Sequence, residues 1–417
     1  MRLHQRLGAS ILLTFLSLLT IFFLLPTAGV SAGLQRIALG TSLDQYAGGL
    51  WTWVKGKDGK NGSNVRVVVF GDSWADGMGM GVEEGREVLG RGRCWAGWLC
   101  EEVNCSALLS FAASQPSAAY PASPPTGAVT WKQLYTSPPV NLAMSSLPDL
   151  ATQIQEYLSS QSDSAFEKTI FAISFGFWDI YHLAGLDYGL AQNMTDAAVN
   201  HLVSQVNLLY THFTEVLSNH PRNESSSVPS FQLVIPKLFD PTLAPGWISQ
   251  RSMPLSPSSV AEQQKQAVYL TERWNSLLEN TLGSWVAADA NANNVANETD
   301  TDGNENQATL PLPRKDIFYY DLPQYILDII IEHQLEDAGQ SDAAGLGTGE
   351  SPFVSVAEPC LRDGAEDEKE EDGVWNTVCP DPSAYLFWDG FNLGGTANAE
   401  IGMKIAGIVK KGMRMGG

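Results

Sequence analysis

The hydrophobic positions from residue 65 onward alternate between two patterns. Val65–Phe70 is a β-branched run that ends at Gly71, which is typical of a strand buried on both faces of a parallel sheet. Four more strands are predicted at Ala107–Phe111, Thr169–Phe175, Phe231–Pro236 and Ile317–Asp321. The longer segments between them show helical periodicity, at Asp149–Leu158, Asp196–Leu217, Val260–Leu282 and Thr396–Met413.

This alternation of strands and helices predicts an α/β domain over residues 65–417, built on a doubly wound parallel sheet. Of the 417 residues, 44% are apolar, which is enough to form a well-covered core. Two segments interrupt this alternation of strands and helices. They are predicted to be flexible insertions, at about 287–313 and 336–373. The acidic run inside the second insertion is interpreted as a solvated loop with no function.

The N-terminus carries Arg2 and Arg6, then an apolar run from Ala9 to Leu25, then the small-residue triplet Val30-Ser31-Ala32. This order predicts a secretory signal peptide at 1–32, followed by a surface segment at 33–64, and therefore an extracellular protein. An uncleaved membrane anchor stays open as the alternative, because the run approaches the roughly 20 apolar residues of a membrane helix.

Five cysteines agree with passage through an oxidising compartment. Cys360 and Cys379 flank the acidic insertion and are predicted to form a disulfide. One bond among Cys94, Cys100 and Cys105 would leave an odd thiol, and the pairing there stays open. No paired C-x2-C units occur, so neither a zinc site nor any other metal is predicted. Glycosylation sequons begin at Asn61, Asn104, Asn193, Asn223 and Asn297.

The candidate chemistry begins directly after the first predicted strand, in Gly71-Asp72-Ser73. Residues just past the carboxyl ends of parallel strands line the ligand crevice of an open sheet. Gly71 permits a tight turn, and Ser73 at the start of the next helix can expose its hydroxyl while its backbone N–H faces an oxyanion. Taken alone, the same triplet also makes ordinary turns and helix caps.

Together with three later segments, this turn resembles the GDSL-type SGNH ester hydrolases. The later segments are Leu109–Ser114, Phe175–Asp179 and Tyr385–Asn392. The resemblance covers most of residues 65–411. It implies a flavodoxin-like three-layer α/β/α fold with a mostly parallel five-stranded sheet, and hydrolysis of carboxylic or acetyl esters through a serine nucleophile.

The resemblance implies that Ser73 is the nucleophile and that Asp389 orients a histidine three residues later. Asn392 stands at that position, and the chain after His333 contains no histidine. An amide nitrogen has no usable lone pair at neutral pH, so Asn392 cannot take a proton from Ser73. The alternative function is therefore a catalytically inactive binding protein on the same scaffold.

The remaining site residues also follow from the resemblance. Ala113 or Ser114 stands where the family has a glycine that helps to bind the oxyanion. Gly176 and Trp178 belong to the third segment, where Trp178 replaces the usual asparagine and offers its indole N–H. His182 is a candidate on other grounds: it lies just after the third predicted strand, whose end should also face the crevice, and it is the candidate substitute base, against the alternative that it is structural.

The balance of charged residues limits the kinds of molecule that this protein is expected to bind. The chain has 25 Lys and Arg against 46 Asp and Glu, a formal charge of -21 that repels phosphate backbones, so nucleic acid is excluded. The expected partner is a small-molecule, polysaccharide or lipid ester, without a cofactor. A membrane becomes a partner only if the N-terminal segment is uncleaved.

Overall fold

A five-stranded sheet organises the part of the chain that the computed structural model describes: residues 65–76, 91–115, 126–140, 142, 144–160, 168–219, 230–251, 257–299, 312–339, 351–363 and 376–415. The predicted signal peptide at 1–32 and surface segment at 33–64 lie outside these residues. The strands are β1 (Val65–Gly71), β2 (Ala107–Ser110), β3 (Ser114–Gln115), β4 (Thr126–Gly127), β5 (Lys168–Ser174), β6 (Phe231–Pro236), β7 (Lys315–Tyr320), β8 (Leu361–Asp363) and β9 (Asn376–Val378). The α-helices are α1 (Trp95–Glu102), α2 (Lys132–Thr136), α3 (Leu150–Ser160), α4 (Phe177–Leu183), α5 (Tyr188–Asn219), α6 (Gly246–Ser249), α7 (Pro257–Thr299), α8 (Leu322–Asp337) and α9 (Gly395–Met415).

The strand order of the main sheet is β2-β1-β5-β6-β7, and every neighbouring pair is parallel. Numbered along the chain, these five strands follow the order 2-1-3-4-5, a doubly wound order in which ligands bind at the switch point between the first and third strands. The α/β class and the five-stranded parallel sheet are therefore confirmed. Each predicted strand lies within two residues of an observed one, because each is an apolar run long enough to cross a sheet with both faces covered.

Helices cover both faces of the sheet and make three layers. Alternate strand residues point to opposite faces. On one face, Phe70 of β1 packs on Tyr157 of α3 at 5.6 Å between ring centroids, and Phe231 of β6 contacts aromatic rings of α5 and α7. On the other face, Gly412 of α9 lies directly against the ring of Phe318 in β7. The core is thus a sheet between two helical layers.

The predicted helices are all present, and two of them are longer than their periodicity indicates. Helix α5 begins at Tyr188, and helix α7 continues to Thr299. Residues 287–299, which the sequence assigns to the first insertion, are therefore helical. Their alanine content favours a helix even where no apolar face repeats. Residues 300–311 lie outside the described part.

The second predicted insertion contains packed structure. Phe353 is buried, and Cys360 forms a disulfide with Cys379, which confirms the predicted pair. The second disulfide joins Cys100 to Cys105 and leaves Cys94 as a buried free thiol. A search of the described residues finds no helix that is both long and apolar enough to cross a membrane.

The Cys360–Cys379 bond also supports the segment that precedes Asp389. Cys360 N–H donates to Phe387 O at 3.0 Å, and the next residue, Leu361, donates to Trp388 O at 2.7 Å. The bridge therefore anchors short backbone pairing beside the C-terminal candidate site residues.

Replacing both Cys360 and Cys379 with serine is expected to lower the free energy of unfolding by ~3 kcal/mol, because the bond closes a loop across a sequence separation of 19 residues. Urea unfolding measures this loss. Replacing Cys100 and Cys105 with serine is the matched control. Their separation is only 5 residues, so the expected loss is smaller, about 2 kcal/mol. A larger loss in the control would contradict the loop-closure argument.

Candidate active site

Ser73 lies in the turn after β1, at the switch point of the sheet. Its side chain is buried, with 2% of its surface exposed, and Oγ accepts a hydrogen bond from Trp178 Nε1 at 3.0 Å. Trp178 is on α4, which begins three residues after β5, the parallel neighbour of β1. The carboxyl ends of adjacent parallel strands meet at one edge, and this brings together residues 105 positions apart.

The end of β1 is held by a buried glutamine that no sequence motif marks. Gln153 of α3 accepts from Gly71 N–H and donates to Gly71 O, both at 2.9 Å. Gly71 has no room for a side chain, because a Cβ there would lie 2.7 Å from Ala75 Cβ and 2.8 Å from Ser174 O. The glycine and the glutamine together set the turn that carries Ser73.

A buried arginine holds the other side of the turn. The Arg91 guanidinium, of which 6% is exposed, donates to the carbonyl oxygens of Ser73 and Asp76. The Asp76 carboxylate in turn accepts from Ser114 Oγ at 2.5 Å. Ala113 N–H donates to the carbonyl of Gly71 at 3.1 Å. Both residues predicted from the second segment thus have partners within the protein, and their oxyanion role stays a prediction.

One side-chain donor reaches the Ser73 hydroxyl, and one backbone N–H beside it is left over within the described residues. The backbone hydrogen bonds of the described residues include none from Ser73 N–H, and the indole of Trp178 reaches Ser73 Oγ. Gly176 makes this placement possible. It precedes α4 with φ 117°, a left-handed conformation that L side chains rarely adopt, and its Cα packs on the ring of Trp274. Gly176 therefore helps to position Trp178, and its predicted oxyanion or substrate-binding role stays a prediction.

Asp179, the residue after Trp178, anchors helix α4 to Thr130 and Tyr135. Its carboxylate accepts from Tyr135 Oη at 2.6 Å, from Thr130 Oγ1 at 2.8 Å and from Thr130 N–H at 3.1 Å. Burial raises the pKa of Asp179, although these hydrogen bonds partly oppose the rise. Burial also raises the pKa of Asp72 well above its usual range, and the nearby Asp179 charge adds to that shift.

The C-terminal segment forms a second cluster around Asp389. Its Oδ1 accepts from the backbone N–H groups of Phe391 and Asn392 at 2.8 and 2.7 Å. Asn392 Nδ2 donates to both Asp389 oxygens, at 3.0 and 2.9 Å. The carboxylate therefore orients the side chain three residues later, as the resemblance implies, but that side chain is an amide.

Trp178 links this cluster to Ser73. The Phe391 ring packs on the Trp178 ring with centroids 5.1 Å apart, and the same indole donates to Ser73 Oγ. Within the described residues, Trp178 is the hydrogen-bond partner of that hydroxyl, and Asn392 is not bonded to it. Ser73 and Phe391 therefore both contact Trp178. Among the described residues, however, no chain of hydrogen bonds runs from Ser73 to Asp389.

His182 lies one helical turn beyond Trp178, with its ring 6.1 Å from that of Tyr135. Burial, aided by the positive charge of Arg251, lowers the pKa of His182 to about 4, so the imidazole is neutral at pH 7. No hydrogen bond joins it to Ser73 among the described residues. Its assignment as the substitute base gains no geometric support.

Replacing His182 with glutamine is expected to remove a pH-dependent part of stability. Between pH 6.5 and about 4 the unfolded chain binds a proton that the folded protein excludes, so folding weakens as the pH falls. The difference in unfolding free energy between wild type and His182→Gln should therefore change by up to about 3 kcal/mol from pH 7 to pH 4. Urea unfolding across this range measures it. A difference that does not vary with pH would contradict the burial argument.

The site offers a hydroxyl, an indole N–H that donates to it, and a carboxylate–amide pair. The described residues contain no group of three or more His, Cys, Asp or Glu side chains arranged to hold a metal ion. Sequence reasoning located Ser73, Trp178, Asp389 and Asn392. It missed Gln153 and Arg91, since a single buried glutamine or arginine carries no local pattern.

Comparison with known proteins adds no family assignment. A scan against protein-family models and a search of curated proteins both find no match.

Proposed function

We propose that this chain is a secreted GDSL-type SGNH protein that binds carboxylic or acetyl esters at Ser73 and hydrolyses them only slowly. One observation carries the proposal. Asn392 is hydrogen bonded to both oxygens of Asp389, at the position where the resemblance expects the base. An amide can orient a partner but cannot accept the Ser73 proton at neutral pH.

The ester-binding part of the proposal rests on the position of Ser73 at the switch point of the sheet. An ester carbonyl oxygen needs donors, and we propose that Trp178 Nε1, which lies 3.0 Å from Ser73 Oγ, and the backbone N–H of Ser73 serve as these donors when an ester is bound. The Trp74 ring packs 4.5 Å from Phe239 and 5.3 Å from Phe177 next to this turn. These rings belong to the buried core, so the surroundings of Ser73 are apolar and favour an uncharged ester over a charged group.

Acyl transfer at this site would proceed without a protein base. Ser73 Oγ would bond to the ester carbon while the carbonyl π electrons move to oxygen, and the hydroxyl proton would leave to water. The alcohol oxygen would depart with a proton from water, and a water molecule would then hydrolyse the acyl-serine. Sites that lack a triad member retain about 10³- to 10⁴-fold acceleration over water, which bounds the expected rate.

The two disulfides support the secreted assignment, because such bonds persist mainly in oxidising compartments. Sequencing the mature N-terminus tests it. A start near Gly33 supports cleavage of the signal peptide, and retention of residues 1–32 would support the anchored alternative.

Hydrolysis of p-nitrophenyl acetate by wild type and by Ser73→Ala tests the proposed activity. The wild-type kcat is expected to fall below the usual range of about 1–10³ s⁻¹ and to exceed the rate of Ser73→Ala. A kcat inside that range would show that a competent base is present. If the two rates are equal and no fluorophosphonate adduct forms on Ser73 at any pH, the protein binds esters but does not hydrolyse them.

A further inference from the structure

Asn392 presents a buried acceptor whose direction is fixed. Its Nδ2 lies 3.0 and 2.9 Å from the two Asp389 oxygens, so that atom must be the donor. The reversed amide would set Asn392 Oδ1 against two carboxylate oxygens, which repel it. The Asn392 carbonyl oxygen therefore points away from Asp389.

This carbonyl oxygen has no hydrogen-bond partner among the described residues, although only 5% of the Asn392 surface is exposed. Buried side-chain acceptors in folded proteins are nearly always paired with protein, water or ligand. Leaving one unpaired costs free energy that corresponds to an affinity change of about ten- to a hundredfold. Asn392 Oδ1 therefore needs a hydrogen-bond donor that is not among the described protein groups.

The position of Asn392 relates this unpaired acceptor to the ester site. The preceding residue, Phe391, packs on Trp178, and Trp178 donates to Ser73 Oγ. The hydroxyl hydrogen of Ser73 has no acceptor among the described residues either. Asn392 thus follows a residue that packs on the tryptophan bonded to Ser73, and its carbonyl oxygen lacks a donor among the described residues.

We infer that the site takes esters that carry a hydroxyl group close to the acyl function, and that this hydroxyl donates to Asn392 Oδ1. The inference rests on the proposed function and specifies its ligand class. A hydroxyl fits because it donates to an amide oxygen without bringing charge next to Asp389. A carboxylate would place a second negative charge there, and a purely hydrocarbon ester would leave the acceptor unpaired.

A matched pair of small esters tests the inference on the mature protein. Ethyl 2-hydroxypropanoate carries the hydroxyl, and ethyl 2-fluoropropanoate carries in its place a fluorine of similar size that cannot donate. Ligand-observed NMR titration should give the hydroxy ester a dissociation constant about 10- to 100-fold lower. In Asn392→Leu, which keeps the volume and removes the acceptor, the two constants should become equal.

The outcomes separate this inference from the proposed function. If wild type binds both esters equally, a buried water satisfies Asn392 and the inference is overturned, while ester binding stands. If the preference persists in Asn392→Leu, another group recognises the hydroxyl and the inference is also overturned. If neither ester binds wild type or Ser73→Ala, both the inference and the proposed ester site fail. Should Asn392→Leu not fold, the wild-type comparison of the two esters decides alone.

Discussion

Asn392→His is expected to raise ester hydrolysis by about 10²- to 10⁴-fold, the usual contribution of a general base. The imidazole would donate from Nδ1 to Asp389, replacing the two hydrogen bonds that Asn392 Nδ2 now makes. Its Nε2 would then face away from the carboxylate, with a lone pair able to take the Ser73 proton. Under the proposed function, the change adds the missing base to Ser73 as the nucleophile and Asp389 as the orienting acid.

The measurement is kcat/KM for p-nitrophenyl acetate between pH 5 and pH 9, where the activity of the variant should follow the titration of one histidine. Asn392→Gln is the control, since it keeps an amide and supplies no base. The double variant Asn392→His/Ser73→Ala should lose the gain entirely. A gain that survives without Ser73 would show that the new imidazole attacks the ester directly, and no gain in a folded variant would contradict the placement of Ser73 and Asn392 in one site.

Gly176→Ala is expected to lower the free energy of unfolding by about 4 kcal/mol, as the sum of two costs. A non-glycine residue at φ 117° is strained by about 1–3 kcal/mol. The added methyl would lie 2.7 Å from the buried Trp274 ring, and such overpacking costs another 1–3 kcal/mol. Urea unfolding monitored by circular dichroism measures the loss.

Gly283→Ala is the matched control for this prediction. Gly283 lies in helix α7, and a Cβ there would meet no atom within 4 Å. Alanine at that position should stabilise the protein by about 0.5–1 kcal/mol through helix propensity alone. If both variants change stability by similar small amounts, the strained turn before α4 does not hold Trp178 as described.

Local pattern predicted the elements of the sheet well, because each strand is a continuous apolar run that must be buried on both sides. The same reasoning placed the predicted insertion boundary at about 287, although α7 continues to Thr299. Its residues 287–299 are rich in alanine and polar groups, so helical propensity is present there without the apolar period that marks a packed helix. Periodicity detects an apolar helix face, and it does not detect a helical segment whose sequence lacks that period.

In the candidate site, too, the local sequence predicts some features and only the folded structure decides others. Ser73 could be predicted from its place after an apolar strand, and the amide at position 392 could be read directly from the sequence. The hydrogen bond between Trp178 and Ser73 spans 105 residues, and the bonds from Gln153 to Gly71 span 82. No local spacing encodes such contacts, since they exist only once parallel strands bring their carboxyl ends together.

By itself, the amino-acid sequence determined the α/β class, the five strands, the Cys360–Cys379 pair as a prediction, and the absence of histidine after residue 333. These properties depend on residue type and on periods of a few positions. The tertiary structure alone decided that Cys100 pairs with Cys105, that Trp178 holds the Ser73 hydroxyl, and that the Asn392 carbonyl oxygen is buried without a partner among the described residues. Those outcomes depend on which distant groups the folded chain places within hydrogen-bond or bonding distance.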